Sequence, residues 1–243
     1  LFRAPHVFTP LHVQGGANVV KELAALLGVS PGNSVLNIGC GPGGPSVVVA
    51  STLDVSVVGT DASPALIEQA GSTLAAAQGR SETTLNVDFQ VASLCTPQSP
   101  RFHAVLGCEV LMRVEDKQAV LGLLHGALQP GGTLVLSDFC SGVVSTRDLE
   151  AYTAAKALHL VQTKEYGSMV TAAGFEDVLV QDRTDRLVSL LEKDLTRLRR
   201  GKADFARTFS VSQFEELESE WMHMLKRAQA NVQKWVLVTA RKP

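Results

Sequence analysis

Three glycines and one acid have the residue types and spacing that hold a nucleotide-like ligand. Gly39, Gly41 and Gly43 follow a short apolar run, and Asp61 ends the next apolar run, twenty-two residues after Gly39. In a doubly wound sheet, glycines after the first strand let the backbone approach a ligand, because no Cβ intervenes. An acid that ends the second strand can accept hydrogen bonds from two ribose hydroxyls. A lone G-x-G-x-G also fits an ordinary tight turn, and the spaced Asp61 is what favours the ligand.

Charged side chains follow the fourth apolar run, Phe102–Gly107. Glu109 can attract a cationic amine or act as a base, and Arg113 can pair with Glu109 or bind an anionic group. A solvated acid and a surface salt bridge are the plainer interpretations of the same pair. His12 lies in an N-terminal arm, residues 1–16, that can close over a ligand. No group of residues has the spacing of metal ligands, so we expect no metal.

Short apolar strands alternate with helical patterns as far as Ser137, which predicts an α/β fold with a parallel sheet. After Asp138 the rhythm changes, and two helices within roughly 139–173 are expected to cap the carboxyl edge of that sheet. We therefore expect the arm to be followed by one domain, residues 17–243. The predicted strands are Ser34–Ile38, Val55–Thr60, Leu85–Val91, Phe102–Gly107, Thr133–Ser137, Asp177–Val180 and Trp235–Ala240.

Composition excludes several classes of protein. The chain has 243 residues, of which 45% are hydrophobic, and a net charge of −2, which suits one globular domain and favours neither nucleic acid nor an anionic membrane as a partner. No apolar run approaches the ~18 residues of a membrane span. The basic run from Lys193 to Arg207 is interleaved with acids and fits a solvated helix. Four cysteines without a C-x-x-C spacing suggest reduced thiols and a cytoplasmic protein.

Four segments resemble the class I methyltransferases that depend on S-adenosylmethionine (SAM). They are VLNIGCGPGG, VVGTDAS, FHAVLGCEVLMRVEDK and LQPGGTLVLSDF, in the order and spacing of that family. The resemblance implies a Rossmann-like sheet of seven strands, with the last antiparallel and inserted between strands five and six. It also implies SAM as cofactor and a small-molecule methyl acceptor. A nicotinamide dehydrogenase is the runner-up by motif; it is the weaker interpretation, because the L-x-P-G-G turn before strand five is a companion signal of the methyltransferases.

The same resemblance assigns roles to residues at the carboxyl edge. Asp61 takes the ribose hydroxyls, and Ala62 and Leu94 sandwich the adenine. Asn37 and Ser93 stand where the family usually has acids. The residues that the resemblance implies for the cofactor are Asn37, Gly39, Gly41, Gly43, Asp61, Ala62, Ser93, Leu94 and Cys108.

A narrower likeness extends over most of the chain and points to phosphoethanolamine N-methyltransferases. It rests on the Gly-Gly before the first core helix, on Asp138-Phe139, on the T-x-E-Y-like segment 163–166, and on the Trp-bearing basic ending. It implies an amine acceptor that carries phosphate, with aromatic rings against the methylated ammonium and lysines on the phosphate. The implied substrate residues are Phe139, Tyr152, Lys156, Tyr166 and Lys234.

Several positions depart from that family. Arg113, or Met112 beside it, stands where the family has a histidine, the arm has no tyrosine, and Leu158 replaces a second tyrosine of the cap. Two alternatives to an amine methyltransferase therefore stay open. One is a SAM-binding protein without turnover, and the other is a methyltransferase for a carboxylate, phenol or sulfur acceptor.

Overall fold

A seven-stranded sheet organises the residues that the computed structural model describes, which are 14–81, 83–96 and 102–243. The strands are β1 (Ser34–Ile38), β2 (Ser56–Asp61), β3 (Val87–Val91), β4 (Phe102–Cys108), β5 (Leu128–Ser141), β6 (Glu176–Asp182) and β7 (Gln233–Arg241). Their order is β3-β2-β1-β4-β5-β7-β6; β7 pairs antiparallel with both β5 and β6, and the other strand pairs are parallel. The predicted fold class, including the inserted last strand, is confirmed.

Helices cover both faces of this sheet. They are α1 (Gly16–Ala25), α2 (Gly44–Leu53), α3 (Pro64–Gln78), α4 (Lys117–Ala127), α5 (Arg147–Lys156), α6 (Thr163–Ala172), α7 (Thr184–Arg200), α8 (Lys202–Thr208) and α9 (Val211–Gln229). Capping follows from sequence: Ser63 accepts from the Leu66 amide at the start of α3, and Asp116 accepts from the Ala119 amide at the start of α4.

Two apolar cores lie on opposite faces of the sheet, because successive residues of a strand point to opposite sides. Val135 and Phe139 of β5 pack with α1, α2 and the helices α7–α9. Leu134 and Leu136 pack with α4 and α6. Strands covered on both faces need nearly continuous apolar residues, which explains the runs in β1, β4 and β5.

The turn expected before strand five is absorbed into the strand. Leu128 pairs with Phe102 and the next pair is Ala104 with Thr133, so the segment 129–132 forms an irregularity inside β5. Pro130 disfavours helical geometry at the residue before it, which helps to end α4 at Ala127. As a result β5 begins at Leu128, before the start at Thr133 that was predicted from the preceding glycines.

The cap predicted at 139–173 has to be redrawn. Residues 139–141 belong to β5, and α6 packs against α4 and β6 as part of a sheet layer. Only α5 departs from that layer, and it reaches α9 through ion pairs. The insertion α7–α9 between β6 and β7 supplies the larger helical addition. Among the described residues, no helix combines the length and apolar character needed to cross a lipid bilayer.

Candidate functional site

The glycine turn and Asp61 meet at the carboxyl edge of β1 and β2. Asp61 Oδ2 accepts from the Gly41 amide at 3.0 Å, and Oδ1 accepts from the Ser63 amide at 3.0 Å. Asp61 therefore fixes the glycine turn against the start of α3. Each carboxylate oxygen can accept more than one hydrogen bond, so both remain able to take a hydroxyl.

Positions 39, 41 and 43 have different reasons for glycine. A Cβ on Gly39 would lie 2.3 Å from Cγ2 of Val110, and one on Gly43 would lie 2.7 Å from Cζ of Phe89. Those two glycines are required by packing. A Cβ on Gly41 would meet no atom within 4 Å, although its φ of +54° disfavours other residues. Gly41 thus faces an open space, the arrangement that a turn around a ligand needs.

The remaining residues expected at the cofactor divide into exposed and buried ones. Ala62 and Ser93 are exposed after β2 and β3, which are held together there by the Ala92 amide donating to the Asp61 carbonyl at 3.0 Å. Leu94 is half-buried beside them. Asn37 is only 1% exposed and donates from Nδ2 to Ser46 Oγ at 2.8 Å. Its amide therefore supports the first turn of α2.

Glu109 is held in an unusual backbone conformation just after β4. Its φ is +57°, its amide donates to the Ser137 carbonyl at 2.7 Å, and its Oε1 accepts from the Gln14 amide at 3.2 Å. A non-glycine residue at positive φ is uncommon and often marks a functional position. Burial raises the pKa of Glu109 to about 8, against the lowering effect of the Gln14 amide and with a smaller raising effect of Asp138. The carboxyl is thus poised to exchange a proton near neutral pH.

Asp138 anchors the 3₁₀ turn Leu111–Arg113 that follows Glu109. Its Oδ1 accepts from the Met112 amide at 3.1 Å and from the Phe139 amide at 2.9 Å, and its Oδ2 accepts from the Tyr166 hydroxyl at 2.9 Å. Burial raises the pKa of Asp138 to about 6, and these donors oppose the rise. The turn is therefore fixed by a buried acid to which the sequence reasoning gave no role in the site.

Lys117 secures the other side of the same turn. It is 1% exposed, and its ammonium donates to the carbonyls of Val114, at 2.6 Å, and His159. Burial lowers the pKa of Lys117, and Asp138 opposes that effect. The two buried charges thus stabilise each other beneath the Glu109–Arg113 segment.

Arg113 and Cys108 occupy different environments at this edge. Arg113 is exposed. Burial raises the pKa of Tyr152, and the charge of Arg113 is one of those that oppose the rise, so the guanidinium lies on the side of α5. No ion pair joins it to Glu109 among the described residues. Burial and Glu109 raise the pKa of Cys108 to about 12. The thiol stays protonated and is not suited to nucleophilic attack.

The three aromatic side chains expected to form one wall are not brought together. Phe139 is buried in the core beneath α1, and Tyr166 is buried on the opposite face, because residues 138 and 139 point to opposite sides of β5. Tyr152 of α5 is half-buried near the edge. Of the three, Tyr152 alone keeps a position compatible with direct contact to a substrate.

Arg227 is a residue of this region that sequence reasoning missed. Its guanidinium stacks on the Tyr152 ring at 3.9 Å and donates to Gln233 Oε1 at 2.8 Å and Asp148 Oδ2 at 3.3 Å. Arg227 is 5% exposed, and its second terminal nitrogen has no hydrogen-bond partner among the described residues. A buried guanidinium N–H without a partner can bind an anionic group. Its only signal in the sequence was a place in the basic ending.

The two lysines expected on a phosphate already have partners. Lys156 pairs with Glu220 at 2.8 Å, and Lys234 pairs with Asp182 at 3.0 Å and with the Asn231 side chain at 2.6 Å. Both pairs are partly exposed, so either lysine can exchange its partner at little cost. His12, expected over the ligand, lies outside the described residues.

Comparison with known proteins places this arrangement in a family. The family model described as "Methyltransferase domain" matches residues 15–180. A phosphoethanolamine N-methyltransferase 1 from Arabidopsis thaliana is 32% identical over 231 residues, covering 94% of this chain and 46% of the relative. The chain thus spans about half the length of that plant relative. A phosphoethanolamine N-methyltransferase from Plasmodium falciparum is 24% identical over 94% of this chain and 85% of its own length.

The fold is also found in a solved structure. Phosphoethanolamine N-methyltransferase 2 of Haemonchus contortus, in complex with phosphomonomethylethanolamine and S-adenosylhomocysteine, superposes with a TM-score of 0.89 at 22% identity. The match covers 95% of this chain and 54% of that one. The family model matches more than half of the chain, and the chain therefore belongs to the methyltransferase-domain family.

Proposed function

We propose that this protein transfers a methyl group from SAM to the nitrogen of a small amine that carries a phosphate. The observation that carries the proposal is the carboxyl edge of the sheet, where the open Gly41 turn, Asp61 and Glu109 lie on neighbouring strands. The 32% identity to a phosphoethanolamine N-methyltransferase supports the choice of acceptor. Four free cysteines suit a reducing cytoplasm as the place of action.

The cofactor is expected along β1 and β2. Gly41 leaves room for its backbone approach, Asp61 takes the ribose hydroxyls, and Ala62, Ser93 and Leu94 border the adenine. Bound SAM supplies an activated methyl group, and in-line transfer requires mainly that the protein align the acceptor and exclude water. This chain needs no nucleophile of its own for that chemistry.

The acceptor is expected between Glu109 and α5. The partnerless N–H of Arg227 and the exchangeable Lys156 provide positive charge for a phosphate. Glu109 attracts the amine and accepts its proton, which a carboxyl with a pKa of about 8 can do near neutral pH. The free amine then has the lone pair that attacks the methyl group.

Two measurements test the proposal. Calorimetric titration is expected to give binding of SAM and of S-adenosylhomocysteine, and incubation with SAM and phosphoethanolamine is expected to release S-adenosylhomocysteine. Absence of cofactor binding would overturn the whole proposal. Binding without transfer to phosphoethanolamine or its N-methylated forms would overturn the acceptor assignment and leave the cofactor site standing.

Asp61→Ala is expected to weaken SAM binding by about 1–3 kcal/mol, because hydrogen bonds to a charged acceptor are lost. Calorimetry measures the change in Kd, and thermal unfolding reports the accompanying loss of the Gly41 and Ser63 contacts. Asp88→Ala is the matched control, since Asp88 is an exposed acid within β3, away from the edge. Equal Kd values in wild type and Asp61→Ala would remove Asp61 from the cofactor site.

A second candidate function is cofactor binding without turnover. Arg113 favours it, because an exposed, permanently charged guanidinium stands where the related enzymes are expected to have a histidine, and it cannot accept a proton. Tight SAM binding with no transfer to amines, carboxylates, phenols or thiols would select this candidate. Transfer to a carboxylate, phenol or thiol alone would instead select another acceptor class.

A further inference from the structure

The Trp235 indole is a second hydrogen-bond donor to the Glu109 carboxylate. Its N–H donates to that side chain, and the Gln14 amide donates to Oε1 at 3.2 Å. Trp235 belongs to β7, whereas Gln14 lies just before α1, so two segments that are distant along the chain meet at this acid. Both groups can only donate, and a hydrogen bond is stronger when its acceptor is ionised. The two donors therefore favour the carboxylate form of Glu109.

Trp235 is held rigidly enough to orient a neighbour. It is 3% exposed and pairs directly with Phe139 across β5 and β7. Its amide donates to Thr184 Oγ1 at 3.2 Å, and its carbonyl accepts from the Arg183 amide at 2.7 Å. The start of α7 thus fixes the backbone that carries the indole. A donor fixed in this way can hold a catalytic side chain in one orientation.

The same contact accounts for the uncommon backbone of Glu109. Cys108 packs against the core on the α1 face of the sheet, so strand alternation would send the next side chain to the opposite face. The φ of +57° at Glu109 breaks that alternation. Its carboxylate instead meets Gln14 and Trp235 on the α1 face. The two hydrogen bonds therefore stabilise a conformation that is costly in itself.

We propose that Trp235 is a positioning residue for methyl transfer, whose indole N–H holds the Glu109 carboxylate in the orientation that meets the acceptor amine. A carboxylate has about four lone-pair sites, and the two donors leave the others open to the ammonium of the acceptor. Trp235 acts through Glu109 and needs no contact with the substrate. The role in transfer rests on the proposed function, whereas the hydrogen bond does not.

The charged groups around this contact do not duplicate the effect of the indole. Burial raises the pKa of Glu109 to about 8 with a contribution from Asp138, against the lowering effects of the Gln14 amide and the indole. The Cys108 thiol has a pKa of about 12 and is neutral. The charged side chains beside the indole on the α1 and α7 sides already have partners, Glu22 with Arg186 and Arg183 with Gln181.

NMR of ¹⁵N-labelled protein tests the hydrogen bond without any substrate. The chain has two tryptophans, and Trp221→Phe assigns their indole signals. The Trp235 indole proton is expected to move downfield as pH rises, with its midpoint at the pKa of Glu109, because ionisation strengthens the hydrogen bond. In Glu109→Gln this movement should be absent. A Trp235 signal that does not respond to pH, or that responds equally in Glu109→Gln, would overturn the contact whether or not the protein transfers methyl groups.

Kinetics of Trp235→Phe test the role in transfer, because phenylalanine keeps an aromatic ring and removes the donor. The rise of kcat with pH is expected to shift by roughly one unit toward alkaline pH, the size expected for one lost hydrogen bond to a carboxylate. The same substitution should have a much smaller effect on kcat in a Glu109→Gln background, since it acts through Glu109. Trp221→Phe is the control, because Trp221 is equally buried but belongs to α9.

Two kinetic outcomes would overturn the positioning role. One is a lowered kcat in Trp235→Phe with the wild-type pH profile, and the other is an equal loss in both backgrounds; either would make Trp235 a purely structural residue. Absence of methyl transfer in the wild type would overturn the proposed function, and with it the role in transfer, while the NMR titration would still decide the hydrogen bond.

Discussion

Replacing Glu109 with glutamine is expected to lower kcat for methyl transfer by roughly 10²–10⁴-fold, the usual contribution of a positioned acid or base. Glutamine keeps a carbonyl oxygen for the Gln14 amide, so the contact with the N-terminal segment is retained. What it loses is the capacity to accept the proton of the acceptor amine. The loss should therefore appear in kcat at saturating phosphoethanolamine and SAM.

The pH dependence distinguishes a proton acceptor from a merely structural acid. The wild-type rate should rise with pH as Glu109 ionises, at or below its pKa of about 8, because the positive sulfonium of SAM favours the carboxylate. In Glu109→Gln that rise should disappear and leave only the titration of the amine itself. An unchanged profile in the variant would assign proton removal to another group. Glu115→Gln, an exposed acid beyond the 3₁₀ turn, is the control.

Glu109→Gln should raise the stability of the fold even though it lowers kcat. The pKa of Glu109 rises from 4.5 to about 8 on folding, so the unfolded chain releases this proton first as pH increases. Between these values the stability of the wild type falls with pH relative to the glutamine variant. At pH 8 the variant should be more stable by about 1–3 kcal/mol, a Tm increase of ~2–4 °C per kcal/mol. Near pH 4 the two proteins should unfold together.

Sequence reasoning succeeded where the informative residues are close along the chain. The strand, the glycine turn and Asp61 lie within one β-α-β unit, and the contact between Gly41 and Asp61 spans only twenty residues. Apolar runs and turn residues likewise marked each strand of the sheet. The order of β5, β7 and β6 came from family resemblance, since strand order is not encoded in local patterns.

Contacts between distant segments were not predictable in the same way. The Asp138–Tyr166 hydrogen bond joins a strand to a helix 28 residues later, and the Arg227–Asp148 contact joins residues 79 apart. Tyr166 looked like a ligand-facing ring because its type suits cation–π contact. Its hydroxyl instead meets a buried acid on the covered face of the sheet. Side-chain direction along β5, which decides this, depends on a register that periodicity in one apolar strand cannot reveal.

Asp138→Ala is expected to destabilise the fold by about 3–5 kcal/mol, the range found when one member of a buried charged pair is removed. The substitution leaves the Tyr166 hydroxyl and the Met112 amide without their acceptor and leaves Lys117 without its nearby negative charge. Urea unfolding at pH 7 measures the change in free energy. The 3₁₀ turn should loosen as well, so the fraction that remains folded should have a lower kcat.

Asp138→Asn is the matched variant, because it preserves shape and most of the hydrogen bonds. Its oxygen can accept from the Met112 and Phe139 amides, and its NH₂ can donate to the Tyr166 hydroxyl. The loss relative to wild type should therefore be under about half of that in Asp138→Ala, with the missing charge on Lys117 as its main source. Adding Lys117→Met to Asp138→Ala should recover part of the stability, since a buried cation is then no longer unpaired. If Asn destabilises as much as Ala, the charge and not the hydrogen bonds accounts for the effect. If neither variant destabilises the fold and Lys117→Met recovers nothing, the charge pair has no role, and the Leu111–Arg113 turn is held by packing alone.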